Sequence, residues 1–304
     1  MPYTAKQLFV VTCLILMLLL SSGCVTQQSH SKTSVVDYLY PEKNKPVIKD
    51  SIPTLTLPIS VGIAFVPESS GNKSGFNLWN NHSLKAPTLT AVQKKELLDQ
   101  VRTHFQSKEF ISDIHTIPQE YLTPQGSFTN LDQIRSMYGI DLIALVSYDQ
   151  TQFTDSSLLS LTYWTLIGAY IVEAEKNDTS TMMDTVVYDI ASRKMLFRAP
   201  GTSLVKSSST PFNLPKELRS NSLKSFQIAT EKMINNLDTE LEAFKQKIKN
   251  NPEQVKVEHK AGYSGGGSAS LYLLFIMSLF LFTLNAKKQL FSTTNRDYIN
   301  DRTS

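Results

Sequence analysis

The chain has 304 residues, of which 41% are hydrophobic and 19% charged, and carries a formal net charge of +3. Those proportions are ordinary for a folded protein. The near-balanced charge and the lack of a basic stripe interleaved with aromatics argue against nucleic acid as a partner.

At the amino end, Lys6 precedes the apolar run "LFVVTCLILMLLL", and small residues follow as far as Cys24. The run is too short to cross a bilayer comfortably and has the length of a signal-peptide core. Residues 1–23 therefore read as a signal peptide, cut between Gly23 and Cys24. The stretch "LLLSSGC" resembles a bacterial lipobox, whose cysteine is acylated and becomes the first residue. That resemblance implies a palmitate-type anchor on Cys24, and membrane lipid and the lipoprotein-export machinery as partners. The other reading is an ordinary secretory signal that leaves Cys24 a free thiol. Cys13 lies in the segment to be removed, so the mature chain keeps one cysteine and can form no internal disulfide. Val25 follows where an aspartate would imply inner-membrane retention in Gram-negative lipoproteins, which favours the outer membrane.

Residues 24–57 are dominated by Ser, Thr, Lys and Pro and read as a flexible tether. An α/β domain is expected over 58–250. "ISVGIAFVP" alternates, with Ile59, Val61, Ile63 and Phe65 on one face, as a strand does. A polar loop, "SSGNKSGFNLWNNH", comes next. Thr90 and Gln93 then form a capping box ahead of a helical stripe of Leu97, Leu98, Val101 and Phe105. "FISDIHTIP" predicts a strand. Asn130 is placed to cap a short helix through Leu131, Ile134 and Met137, which Gly139 ends. "DLIALVSY" predicts a strand buried on both faces. "SLLSLTYWTLIGAYIV" reads as extended strand, either core or a partner- or membrane-contacting ribbon around Trp164. Two strands follow around a turn at residues 189–194. A long helix carries Phe226, Met233, Leu237, Leu241, Phe244 and Ile248. This order predicts one mixed sheet with helices packed against it.

After a linker over 251–267, residues 268–286 are almost free of charge and long enough to span a hydrocarbon core. Lys287 and Lys288 follow, which holds the tail at 287–304 on the cytoplasmic side. Gly265, Gly266 and Gly267 precede the apolar run, and each glycine weakens a helix by about 1 kcal/mol relative to alanine. That entrance is easily unwound, as a protease requires. Glycines, apolar helix and basic residues together resemble the GlyGly-CTERM sorting signal, a substrate of the rhomboid-type protease rhombosortase. A permanent single-pass anchor behind a flexible linker is the other reading.

With both ends taken together, and with the central "GAYIVEAEKNDTSTMMDTVVYDIASRKMLFRAPG", the chain resembles the rhombotarget lipoproteins. The family implies trimming by rhombosortase and no known catalytic activity, and the residues themselves lead to no expected cofactor or metal. In element order alone, the domain is also similar to the small α/β domains of the curli-secretion lipoprotein and of the Tol-system propeller protein. That likeness implies, as the alternative, an oligomeric component of a secretion or envelope assembly.

No catalytic motif with a specific spacing is present. His104 and His115 read as separate surface imidazoles, and Ser69, Ser70 and Ser74 as a solvated loop rather than an anion cradle. Glu173, Glu175 and Asp178 read as a solvated turn rather than an acid–base pair.

Overall fold

The computed structural model describes Gln7, Thr12 and residues 26–41, 51–68, 88–156, 172–173 and 175–263. Its centre is a six-stranded mixed sheet. Strand β3 (Ile59–Phe65) lies between β4 (Ile111–Thr116) and β5 (Leu142–Ser156) and runs parallel to both. Helix α2 (Ala91–Phe105) connects β3 to β4, and α3 (Ser127–Tyr138) connects β4 to β5. The two helices cover opposite faces, as right-handed crossovers to opposite sides of one strand require. Antiparallel β6 (Glu175–Asp189) and β7 (Lys194–Ser209) complete the sheet, and α4 (Leu214–Asn250) packs over them on the α2 face. A short pair, β2 (Thr54–Leu57) with β8 (Lys256–His259), stands apart.

Alternation in β3 distributes its side chains between two cores. Ile59, Ile63 and Phe65 join Leu97, Leu98 and Val101 of α2 and Phe226, Met233 and Leu237 of α4. Ala64 and the following Val66 turn to the other face, against Phe128, Leu131 and Ile134 of α3. Each fully buried Leu, Ile or Phe contributes about 1.5–3 kcal/mol, so these layers supply most of the driving force. The expected capping box is present: Gln93 N–H donates to Thr90 Oγ1 at 3.3 Å and Thr90 N–H donates to Gln93 Oε1 at 2.9 Å. Gly139 ends α3 in the left-handed conformation, φ 64°, as expected.

Three expectations need correction. The segment expected as a tether forms β1 (Thr26–Lys32) and helix α1 (Val35–Leu39), as well as β2. β1 pairs antiparallel with the distal half of β5, in the slot beyond the end of β3, in register from Thr26 with Asp155 to Lys32 with Asp149. Its polar composition misled because the sheet it joins is itself polar inside: the buried Ser29 and Ser31 lie opposite buried Gln152 and Gln150. Second, α3 starts three residues before Asn130, which is not its cap. Asn130 is buried inside the helix, where its Oδ1 accepts from Tyr38 Oη at 2.8 Å and from Thr123 N–H at 3.0 Å. Third, two of the acidic trio, Glu175 and Asp178, lie in a strand rather than a turn, while Glu173 is exposed ahead of it. Glu175 is buried at the start of β6, whereas Asp178, of opposite parity in the same strand, faces out and pairs with Lys206 at 3.3 Å. Strand alternation keeps these two carboxylates on opposite faces.

Candidate functional site

Gly23, Cys24, Gly265, Gly266, Gly267, Lys287 and Lys288 all lie outside the described residues, as do the Trp164 segment, Ser69, Ser70, Ser74 and the expected span at 268–286. Among the described residues no helix is long and apolar enough to cross a membrane. β1 begins two residues after Cys24, and the described chain reaches Tyr263, two residues before Gly265.

Open α/β sheets commonly bind ligands outside the carboxyl ends of their parallel strands, where helices diverge to opposite faces. Here the chain itself fills that position. Thr33 bridges to Glu68, just past β3, and its N–H donates to Tyr148 O at 2.8 Å. Buried Lys94, in the first turn of α2, donates to Glu68 Oε1 at 3.2 Å and to Gln119 Oε1 at 2.6 Å. Tyr148 Oη donates to the same Glu68 oxygen at 3.2 Å. Burial, and then the Glu68 charge and hydrogen bond, raise the Tyr148 phenol well above its ordinary pKa. The cluster joins β3, α2, the turn at Gln119–Tyr121 and β5, which makes it a structural tie between four elements.

A shallow cleft of about 310 Å³ runs along β4, lined by Lys95, Asp99 and Arg102 of α2, by Asp113, His115 and Thr116, and by Tyr138. Its charges pair mainly with one another: Lys95 with Asp99 at 2.5 Å, and His115 with Asp113 at 3.3 Å. Arg102 Nε and Thr116 Oγ1 are buried there without hydrogen-bond partners. The Asp99 carboxylate is engaged by Lys95, and the Asp113 carboxylate lies against the His115 ring. His104 points elsewhere, to Asp238 of α4, so the two histidines are not brought together.

The feature that sequence reasoning missed is a polar interior under the distal half of the sheet. Gln150, Gln152 and Thr154 of β5, and Asn177, Thr179 and Thr181 of β6, are all buried facing α4. Gln152 Nε2 donates to Thr179 Oγ1 at 3.0 Å and to Leu218 O at 2.9 Å. Ser203 and Ser225 hydroxyls meet at 2.8 Å, and Asn221 Nδ2 donates to Ser207 Oγ at 2.6 Å. The only trace in the sequence is the density of Ser, Thr, Asn and Gln across these strands.

The molecule is thus an α+β protein, with helices on both faces of a mixed sheet whose distal half is a long, polar-lined ribbon. No family model matches it, and no curated protein matches it. Among solved structures it is similar to the PelC dodecamer from Paraburkholderia phytofirmans. That likeness has 11% identity over 68% of this chain and 99% of that one, with a TM-score of 0.26. A second similarity is to a DUF330-family protein from Xanthomonas campestris, with 8% identity over 64% and 94% of the two chains and a TM-score of 0.26. Overlaps this loose carry no functional inference.

Proposed function

We propose that the chain is an exported envelope lipoprotein of the rhombotarget type, acylated at Cys24 and trimmed near Gly265, Gly266 and Gly267 by a rhomboid-type protease. Its α+β body acts through contacts with membrane lipid or envelope proteins rather than by catalysis. One observation supports the reading: every described strand of the body, from β1 at Thr26 to β8 at His259, lies in sequence between the two proposed signals. Removing 1–23 and the residues beyond the glycines therefore takes none of the described strands from the sheet. Two or more acyl chains, at about 0.8 kcal/mol per buried methylene, hold the product firmly once the apolar segment is gone.

Intact mass tests this. Protein from cells with an active sorting protease is expected to begin at acylated Cys24 and to lack the tail, and deleting the protease is expected to restore it. A full unclipped mass through Ser304 in both backgrounds would replace the proposal with a permanent anchor.

A second reading, a subunit of an oligomeric envelope or secretion assembly, is favoured by the sheet's edges. β7 has 16 residues, and among the described residues no strand pairs with its outer side. Such an edge is a template for another chain. Sizing the detergent-extracted protein decides: a discrete large oligomer supports the assembly, and a monomer removes it.

A further inference from the structure

Strand β4 ends the sheet on one side, and among the described residues no strand pairs with its outer edge. One bond fixes which backbone groups face that edge. Ile117 N–H donates to Ile63 O at 2.9 Å, so Ile117 faces β3. Backbone direction alternates along a strand. His115 therefore also faces β3, while Ile114 and Thr116 turn their N–H and C=O groups outward.

The cleft follows this edge. Asp113, Ile114, His115 and Thr116 line it in succession, between α2 and Tyr138 of α3. Consecutive side chains of a strand lie on opposite faces. A cleft that touches all four reaches both faces of β4 and crosses the edge between them. Two of its side chains bear on what the edge accepts. Asp113 Oδ1 accepts from Ile114 N–H at 2.8 Å, so the strand's own carboxylate holds the edge donor that a neighbouring carbonyl would use. Its other oxygen lies 3.3 Å from His115 Nε2, a partner it keeps when the N–H is given up. Arg102 is the second. Its Nε is buried without a hydrogen-bond partner, and among the described residues its guanidinium forms no ion pair, whereas Lys95 on the same wall is paired with Asp99.

From the free edge and the uncompensated guanidinium, we propose that β4 docks an extended peptide as an added strand, with an acidic side chain of that peptide taken by Arg102. Main-chain bonds at Ile114 and Thr116 supply affinity, and the side chains on the two faces supply specificity. Alternation sets the peptide's acidic residue against α2 and the next residue against the Tyr138 ring. An acidic–apolar pair is therefore the sequence recognised. Arginine holds a carboxylate through two parallel hydrogen bonds, which a single ammonium does not reproduce. Asp113 is a gate: it shields Ile114 N–H from indiscriminate strand pairing, as charged side chains on edge strands do, and leaves when a peptide carbonyl arrives. Docking here needs neither acylation at Cys24 nor trimming at the glycines, so it stands apart from the lipoprotein reading.

The test uses the full chain in mild detergent and a fluorescein-labelled, end-blocked peptide of Thr and Val with a central Glu–Phe pair. Saturable binding by anisotropy is expected below about 1 mM peptide. Changing the peptide's Glu to Gln is expected to weaken binding about tenfold, as is Arg102→Gln, and the two together no more than either alone. The peptide change reads the same contact without touching the protein's fold. Asp113→Ala is expected to tighten binding about threefold or more, and Asp113→Asn less, because asparagine still accepts from Ile114 N–H. Bound peptide is expected to slow hydrogen exchange at the Ile114 and Thr116 amides and to leave His115, already bonded to β3, unchanged. The absence of saturable binding, equal binding of the Glu and Gln peptides, or protection confined to β7 would overturn the proposal. Self-association through β4 that excludes the peptide would overturn it as well, in favour of a second copy of the chain.

Discussion

Gln150 and Ser222 hold each other through two hydrogen bonds across the interface between β5 and α4. Ser222 Oγ donates to Gln150 Oε1 at 2.6 Å, and Gln150 Nε2 donates to Ser222 O at 3.3 Å and to Thr181 Oγ1 at 2.7 Å. The amide is 1% exposed, so every one of these bonds replaces water. We predict that Gln150→Ala costs about 2 kcal/mol, because it leaves Thr181 and Ser222 with buried unmet groups. Ser222→Ala is expected to cost about 1 kcal/mol, and the double variant less than the sum, because the pair acts as one unit. Urea denaturation of the four proteins measures this, and strict additivity would show that the ladder is not coupled.

Gly201 sits where β7 passes closest to α4. A β-carbon there would run into the Ala229 carbonyl and the Met233 amide, which are backbone atoms that cannot rotate away. Gly201→Ala is therefore predicted to cost about 3 kcal/mol, lowering Tm by roughly 6–12 °C for a domain of this size. Gly139→Ala is the control. Its φ of 64° adds strain, but nothing lies within 4 Å of the new methyl, so about 1 kcal/mol is expected. Equal losses at both positions would mean that helix α4 yields easily.

Where a core was apolar, the fold could be read in advance. Ile59, Ile63 and Phe65 alternate against small or outward residues, and the stripe from Leu97 to Phe105 repeats with helical period, so both elements declared themselves. β1 and the distal halves of β5, β6 and β7 were obscure because the inward face is polar and the outward face mixes polar residues with Phe153, Met182 and Leu204. When Ser31, Gln150, Thr181 and Ser203 form the inside row, and Lys32, Asp149, Met182 and Thr202 the outside row, hydropathy does not mark which face is buried. Only hydrogen-bond complementarity separates them, and that exists only once the strands are paired. For the same reason the start of α4 was missed: its first buried side chains include Asn221, Ser222 and Ser225, which break the apolar stripe. The proposed processing signals rest on local composition, which can be read without strand pairing.

Asp238 ties α4 to the end of α2. Its carboxylate accepts from Lys108 Nζ at 3.0 Å and contacts His104 Nε2. Partial burial acts to raise its pKa, but the His104 and Lys108 hydrogen bonds and charges outweigh this and lower it. A carboxyl held below its unfolded pKa adds stability above about pH 4, and that contribution is lost as pH falls through the folded value. The site is about a third exposed, so we predict only a few tenths of a kcal/mol for Asp238→Asn at pH 7. The variant's deficit should shrink progressively as pH falls below about 4. A deficit that stayed constant as pH fell from 7 into the acid range where the carboxyl is protonated would assign the loss to packing rather than charge.

Tyr38, Tyr148 and Tyr188 set the alkaline limit. Burial raises all three phenols well above their ordinary pKa; Glu68 adds to the effect at Tyr148 and Tyr40 adds to it at Tyr188. Because the folded state holds these protons more tightly than the unfolded chain, their contribution is complete below about pH 10 and is lost as pH rises above it. We predict that exposed tyrosines ionise first with tertiary structure intact, and that a second tyrosinate step coincides with loss of near-ultraviolet circular dichroism. Tyr148→Phe keeps the ring packed edge-on against Phe65 and Phe226, at 6.3 and 5.3 Å, while removing the ionisable hydroxyl. It should cost about 1 kcal/mol at pH 7 through the lost Glu68 bond, yet flatten the decline of stability above pH 10. If every tyrosine ionised before the circular dichroism changed, the phenols would be reachable by hydroxide in the folded state, and the closed cluster around Glu68 and Lys94 would have to open readily.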